Sequence, residues 1–177
     1  ALKRNLFVAM NRRHFGSTIA ARKLLENDKN TRVVELHDQE NILAALASGR
    51  PREVVSKWMV ANSIHLVDYL SVFCRGKLNE LQLIEKLNTK KPFLSMATLR
   101  FDSGDLGFYT AFWNAPGPWS VKITTKEQLL EMRPLEGLEH QVFPEKLRNR
   151  ISLPAVDMEY KPGIYRQAEQ LVAAAKT

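Results

Sequence analysis

The chain has 177 residues, of which 45% are hydrophobic and 25% are charged, and 26 Lys and Arg against 19 Asp and Glu give it a net charge of +7. This composition is typical of a folded globular protein and excludes disorder of the chain as a whole. The single cysteine, Cys74, excludes an intramolecular disulfide, and no apolar run reaches the roughly 20 residues of a membrane span. We therefore expect one domain over residues 1–177, without a transmembrane segment, in a reducing cytoplasmic, nucleoid or nuclear compartment.

The first 30 residues carry seven Lys or Arg against two Asp or Glu. Ser17 is a suitable N-cap for a helix through TIAARKLLEN. The β-branched run of residues 31–36 predicts a short strand. Asp38 then predicts the N-cap of a second helix, which Gly49 would end.

The stretch NRRHFGST lies between a possible strand, residues 6–10, and the first predicted helix. A helix N-terminus with nearby cations can bind an anion, so Arg12 and Arg13 could hold a phosphate. The stretch lacks the second and third glycines of a dinucleotide fingerprint and the Gly-Lys-Ser/Thr of a P-loop. A solvated basic loop is the alternative interpretation.

Helical spacing continues to about residue 88. Apolar residues recur at this spacing from Glu53 to Phe73, and a further helix is predicted from Asn79 to Leu87, where Leu81, Leu83 and Ile84 share the pattern. The region of residues 17–88 is therefore predicted to be mostly helical.

Residues 93–124 have a different, β-rich composition. FLSMATLRF, LGFYTAFW and WSVKIT read as three strands of an antiparallel meander, the first two joined by the turn of residues 102–105. Strand alternation predicts a buried cluster of aromatic side chains: Phe101, Phe108 or Phe112, and Trp119. Stacking of nucleic-acid bases on the exposed aromatic residues is the alternative.

The remaining residues, 125–177, are predicted to return to helices. Thr125 would cap a helix through KEQLLEM, EKLRNRI would form a short basic helix, and IYRQAEQLVAAAK a last one. The predicted fold class is α+β, mostly helical, with a small three-stranded antiparallel sheet.

Signals of catalysis or metal binding are weak in this sequence. The four histidines show no metal-ligand spacing, and no nucleophile motif occurs. Asp102 and Asp105 fall in a turn, where Asp is favoured for conformational reasons. We therefore expect no metal, no cofactor and no catalytic residues.

Residues 41–73, NILAALASGRPREVVSKWMVANSIHLVDYLSVF, resemble the helix-turn-helix DNA-binding superfamily. The resemblance implies a positioning helix over Pro51–Met59, a turn at Val60–Asn62 and a recognition helix over Ser63–Phe73. One continuous amphipathic helix over Pro51–Phe73 is the alternative, because the apolar spacing fits both.

The leading functional hypothesis is non-catalytic nucleic-acid binding, to DNA rather than RNA, by a transcription regulator or an accessory factor of replication or transfer. It assigns phosphate or base contacts to eight residues: Arg12, Arg13, Arg50, Arg52, Lys57, Asn62, Ser63 and His65. The alternative is a protein-interaction or assembly protein with a basic face, such as a viral structural component. Formation of a homo-oligomer is left open. An enzyme with a site that cannot be read from the sequence comes third.

Overall fold

A computed structural model describes residues 9–117 and 119–175. Its main feature is a sheet of eight strands. In chain order the strands are β1 (Val33–Glu40), β2 (Leu78–Glu85), β3 (Leu94–Phe101), β4 (Leu106–Trp113), β5 (Ser120–Thr124), β6 (Gln128–Met132), β7 (Glu139–Val142) and β8 (Asn149–Arg150).

The helical elements lie mainly before β2 and after β8. They are a 3₁₀-helix (Asn11–His14), α1 (Gly16–Leu24), α2 (Ile42–Ala47), α3 (Arg52–Val55), a π-helical turn (Met59–Ser63), α4 (Ile64–Phe73), α5 (Val156–Glu159) and α6 (Ile164–Ala175).

The sheet has the order β2-β3-β4-β1-β5-β6-β7-β8, so the first strand of the chain lies near its middle. β1 runs parallel to β4, with Val33 opposite Leu106, and antiparallel to β5, with Val33 opposite Thr124. The other neighbouring strands pair antiparallel. Only one of the seven strand pairs is thus parallel.

The core lies where α4 packs against β1. Leu66, Tyr69 and Phe73 of α4 are almost completely buried, as are Val34 and Leu36 of β1. The spacing of three and four residues puts the α4 side chains on one helical face, which explains the apolar periodicity seen in the sequence.

The predicted helical region of residues 17–88 is wrong in two places. β1 continues through Asp38, so this residue lies inside a strand and caps no helix. Residues 79–87 also form no helix, because most of them belong to β2, an edge strand that is exposed along its whole length. Without a buried face, β2 has no alternating pattern that would distinguish it from a helix.

The three strands predicted within residues 93–124 are present as β3, β4 and β5, and the hairpin turn at residues 102–105 is confirmed. The meander is wrong, because β1 lies between β4 and β5. The helix predicted in KEQLLEM is wrong, since residues 128–132 form β6, and EKLRNRI contains the short strand β8. The last predicted helix is confirmed as α6. The fold class is thus a large mixed sheet with helices, not a mostly helical domain.

The predicted aromatic cluster is also wrong. Phe108 is 38% exposed and Trp119 is 40% exposed, whereas Tyr109 and Trp113 are buried. The alternation along β4 is as expected, but the face that carries Tyr109, Ala111 and Trp113 is the buried one.

The helix-turn-helix expected in residues 41–73 is absent from the structure. Val60–Asn62 lie within the π-helical turn, and Ser63 has helical dihedral angles, φ −60° and ψ −24°. The chain therefore passes into α4 without the sharp turn that the motif needs. The first helix, α3, is only four residues long.

Residues 6–8 of the possible N-terminal strand lie outside the described residues. Within residues 9–117 and 119–175, no helix has the length and hydrophobicity needed to cross a membrane. The expectation of a single domain remains a prediction.

Candidate functional site

A cavity of about 560 Å³ opens beside the N-terminal end of α4. Five segments form its wall: the 3₁₀-helix, the π-helical turn with the start of α4, and the loops before β5, after β6 and before α6. Its lining residues are Asn11, Arg12, Phe15, Asn62, His65, Trp119, Arg133, Pro134, Leu135, Glu136 and Lys161.

The cavity has more positive than negative charge. Arg12, Arg133 and Lys161 line it together with a single carboxylate, Glu136. The Arg12 guanidinium lies over the Trp119 ring, with its central carbon 4.9 Å from the ring centroid. A partly enclosed site with this balance favours a polar ligand that carries negative charge, and Trp119 adds an apolar surface.

His65 lies in this cavity as a half-buried side chain. Burial lowers the pKa of His65, the positive charge of Arg12 lowers it further, and Asp68 opposes the shift. The lowered pKa favours the neutral imidazole, which can accept a proton. Its Nδ1 is buried and has no hydrogen-bond partner among the described residues, which leaves Nε2 as the nitrogen that can meet a ligand.

The 3₁₀-helix is fastened to α4 by an ion pair next to the cavity. Arg13 donates from Nε to Asp68 Oδ2 over 2.6 Å, and its Nη2 donates to the other carboxylate oxygen. Thr18 donates to the backbone carbonyl of Arg12 over 2.8 Å. Because Asp68 follows His65 by three residues, these contacts fix Arg12 relative to the imidazole.

Behind the cavity wall, Glu40 at the end of β1 is a nearly completely buried carboxylate, with 2% of its surface exposed. It accepts hydrogen bonds from Trp58 Nε1, from Asn62 Nδ2 at 2.8 Å and from Ser63 Oγ at 3.1 Å. Burial raises the pKa of Glu40 to about 7 and the nearby negative charge of Asp38 contributes, while its three donors oppose the shift. Glu40 thereby joins the sheet to the π-helical turn.

Three of the residues predicted to contact nucleic acid, Arg12, Asn62 and His65, do come together, but inside the cavity. They line a partly enclosed cavity and do not form one face of a recognition helix. Ser63 is buried and donates to Glu40, so it cannot reach a base.

The other four predicted contact residues lie elsewhere. Arg13 is paired with Asp68. Arg50 lies over the Trp58 ring, 5.5 Å from its centroid, and Arg52 and Lys57 are exposed around α3, away from the cavity. The structure therefore gathers no single basic surface from the eight predicted residues.

Sequence reasoning missed Trp119, Arg133, Lys161 and Glu40. The first three lie in loops far apart in the chain, and no local spacing relates them to His65. Glu40 differs from these three residues, because the sequence around it contains a local sign of a special role: a charged residue at a strand position where an apolar one is expected.

The described residues do not form a dinucleotide site of the common parallel-sheet type. Such a site needs a glycine-rich turn between a strand and a helix of a parallel sheet, whereas here a single strand pair is parallel and NRRHFG has one glycine. Within the described ranges, no group of three or more His, Cys, Asp or Glu side chains is placed to hold a metal ion.

No family model and no curated protein matches the sequence. Solved structures do share the fold. Levoglucosan dehydrogenase, in complex with NADH, matches with a TM-score of 0.66 and 13% identity over 85% of this chain and 47% of its own. UDP-N-acetylglucosamine 3-dehydrogenase from Acidithiobacillus ferrooxidans matches with a TM-score of 0.65 and 12% identity, over 97% of this chain and 60% of its own. A dehydrogenase from Chromobacterium violaceum matches with a TM-score of 0.66 and 18% identity, over 83% of this chain and 46% of its own.

These matches correct the functional expectations. The fold is that of dehydrogenase structures and not of a helix-turn-helix regulator, so the expectations of a non-catalytic protein, of DNA binding and of transcription regulation are contradicted. The levoglucosan dehydrogenase structures include a complex with NADH and one with NADH and L-sorbose. This chain spans about half the length of the structures it matches.

Proposed function

We propose that this chain is the substrate-binding half of a dehydrogenase that oxidises a hydroxyl group of a negatively charged sugar derivative. The observation that carries the proposal is the cavity in which a neutral His65 lies beside Asn62, Arg12 and Trp119. The likeness of the fold to dehydrogenases of levoglucosan and of UDP-N-acetylglucosamine supports it.

Each of these side chains suits one part of a sugar. The Trp119 ring offers an apolar surface to the C–H face of a pyranose, and Asn62 can hydrogen-bond to a hydroxyl. The Arg12 guanidinium, with Arg133 and Lys161, can hold a phosphate or carboxylate substituent. This division of contacts would orient one hydroxyl toward the imidazole.

His65 is the candidate general base. Oxidation of an alcohol to a ketone removes the hydroxyl proton and a hydride from the same carbon. A neutral imidazole can take that proton at Nε2, and burial and the charge of Arg12 lower the pKa of His65, which favours the neutral form. The described residues do not fit the dinucleotide that would take the hydride, so their part is limited to binding, orientation and proton transfer.

The test is titration of the ¹⁵N-labelled chain with levoglucosan and with UDP-N-acetylglucosamine, followed by NMR. We expect saturable shifts at the lining residues, with tighter binding of the charged sugar because of the cationic wall. Arg12→Ala should weaken binding of UDP-N-acetylglucosamine about tenfold, the effect of one charge-assisted hydrogen bond. The matched control is Arg22→Ala, an exposed arginine on α1 that does not line the cavity.

The histidine is tested separately through its ring resonances. We expect His65 to titrate below its ordinary pKa, and the titration to change when a sugar binds. His37→Asn, at a half-buried histidine of β1 outside the cavity, is the control for His65→Asn. Absence of saturable shifts at the cavity with both sugars would overturn the proposal.

A further inference from the structure

Glu40 determines which end of the Asn62 amide faces the cavity. Above its pKa, Glu40 is an ionised carboxylate that only accepts hydrogen bonds, so the group that faces it has to be a donor. Asn62 Nδ2 lies 2.8 Å from one Glu40 oxygen and 3.0 Å from the other. The amide nitrogen is thus engaged behind the wall, while Asn62 itself lines the cavity. Its Oδ1 accepts no hydrogen bond from the described residues.

The same carboxylate holds both ends of the π-helical turn. Trp58, immediately before the turn, and Ser63, its last residue, both donate to Glu40. A π-helical turn is rare and occurs frequently at functional sites. Here, hydrogen bonds from three side chains to one buried carboxylate hold the turn in place.

We propose that Glu40 is a positioning residue of the cavity, which fixes the amide of Asn62 so that its oxygen accepts a hydrogen bond from a sugar hydroxyl. The inference rests on the proposed function for the identity of the ligand. The orientation of the Asn62 amide is independent of the proposed function, because the contacts with Glu40 determine it.

Replacing Glu40 with Gln tests the proposal, because Gln has the same shape and a different hydrogen-bond pattern. Trp58 Nε1 needs an acceptor, so the Gln oxygen is expected to face it and the Gln amide nitrogen to face Asn62. Asn62 then turns its own oxygen toward Gln and presents an amide nitrogen to the cavity. The matched control is Glu35→Gln on the same strand, where Glu35 forms a partly exposed ion pair with Lys122.

The first readout needs no ligand. The side-chain amide resonances of Asn62, assigned by their loss in Asn62→Ala, should move with pH in the unmutated chain as Glu40 titrates. The titration should disappear in Glu40→Gln and persist in Glu35→Gln. Asn62 resonances that are independent of pH in the unmutated chain, or that still titrate in Glu40→Gln, would overturn the proposal.

The second readout is the affinity for levoglucosan and UDP-N-acetylglucosamine. We expect Glu40→Gln to weaken binding about tenfold and Glu35→Gln to leave it unchanged. If Glu40 acts through Asn62, adding Glu40→Gln to Asn62→Ala has no further effect, because the oxygen is already absent. Additive losses would indicate a general structural role and overturn the proposal. If the unmutated chain binds neither sugar, the proposed function fails, and the Asn62 titration still decides the role of Glu40.

Discussion

The two strands β1 and β2 have the same length of eight residues but opposite environments. β1 lies near the middle of the sheet, and every second residue from Val34 to Glu40 is buried. β2 lies at an edge and is exposed at all eight positions, although Leu81, Leu83 and Ile84 are apolar. Polar residues are thus buried in one strand while apolar residues are exposed in the other. Position in the sheet, and not hydrophobicity alone, decides what each strand buries.

The comparison is tested most directly by truncating one leucine in each strand. Leu36 of β1 is 1% exposed, so Leu36→Ala should lower the free energy of unfolding by about 2–5 kcal/mol through lost burial and a cavity. Urea unfolding followed by circular dichroism measures this loss. A loss below about 1 kcal/mol would show that β1 is not packed as described.

Asp105 sharpens the comparison, because it joins the starts of the two strands. This fully buried carboxylate accepts from the backbone amides of Arg32, just before β1, and of Arg75, just before β2, and it pairs with the Arg75 guanidinium at 2.7 Å. Asp105→Asn should cost about 2–3 kcal/mol, since charge-assisted hydrogen bonds are lost in a buried site.

The cost of Asp105→Asn should also depend on pH. Burial raises the pKa of Asp105, but the hydrogen bonds from Arg75 and from the two backbone amides outweigh it, and the pKa is lowered overall. A lowered pKa gives stability that is present above the unfolded-state value and is lost as pH falls through the folded-state value. The difference between the variant and the unmutated chain should therefore shrink in acid, and a constant difference would argue against the ion pair.

Glu40 should give the opposite dependence on pH. Because its pKa is raised in the folded chain, the folded state binds a proton more tightly than the unfolded state. Its contribution to stability is fully present in acid and falls as pH rises from about 4.5 to about 7. Unfolding of Glu40→Gln should lack this decline, while Glu35→Gln should retain it. A decline that persists in Glu40→Gln would assign it to another group.

The smallest effect is expected in β2. Leu83 is 56% exposed, so Leu83→Ala should change the free energy of unfolding by less than about 1 kcal/mol. The pair Leu36→Ala and Leu83→Ala thus compares one chemical change in two environments. Equal losses would mean that β2 is covered in solution, as edge strands often are, and light scattering would then detect the association.

The environments of β1 and β2 also explain what the sequence could predict. The β-branched run of residues 31–36 predicts the start of β1, but Asp38 suggests a helix N-cap, because a buried carboxylate in a central strand breaks the usual pattern. In β2, the spacing of Leu81 and Ile84 matched a helix. By contrast, β3 and β4 were predicted with their turn because residues 102–105 carry a strong local signal.

The candidate site was recognised only in part for a related reason. Arg12, Asn62 and His65 were selected as functional residues, but their common cavity depends on loops such as those of Trp119 and Lys161, more than 50 residues away from His65. A local motif cannot show this arrangement. The sequence therefore assigns these residues to nucleic acid, and the helix-turn-helix resemblance of residues 41–73 makes that ligand DNA.

The position of β1 between β4 and β5 has a consequence for the order of folding. The partners of Val33 are Leu106 and Thr124, so both neighbours of β1 are made long after it. During synthesis, β1 has no sheet partner until β4 is made at residues 106–113, and it lacks its second partner, β5, until residue 124. Contacts of such long range slow folding and prolong the exposure of apolar strands. A nascent chain halted before β4 would thus leave both edges of β1 unpaired, and would be the form of this protein most in need of a chaperone.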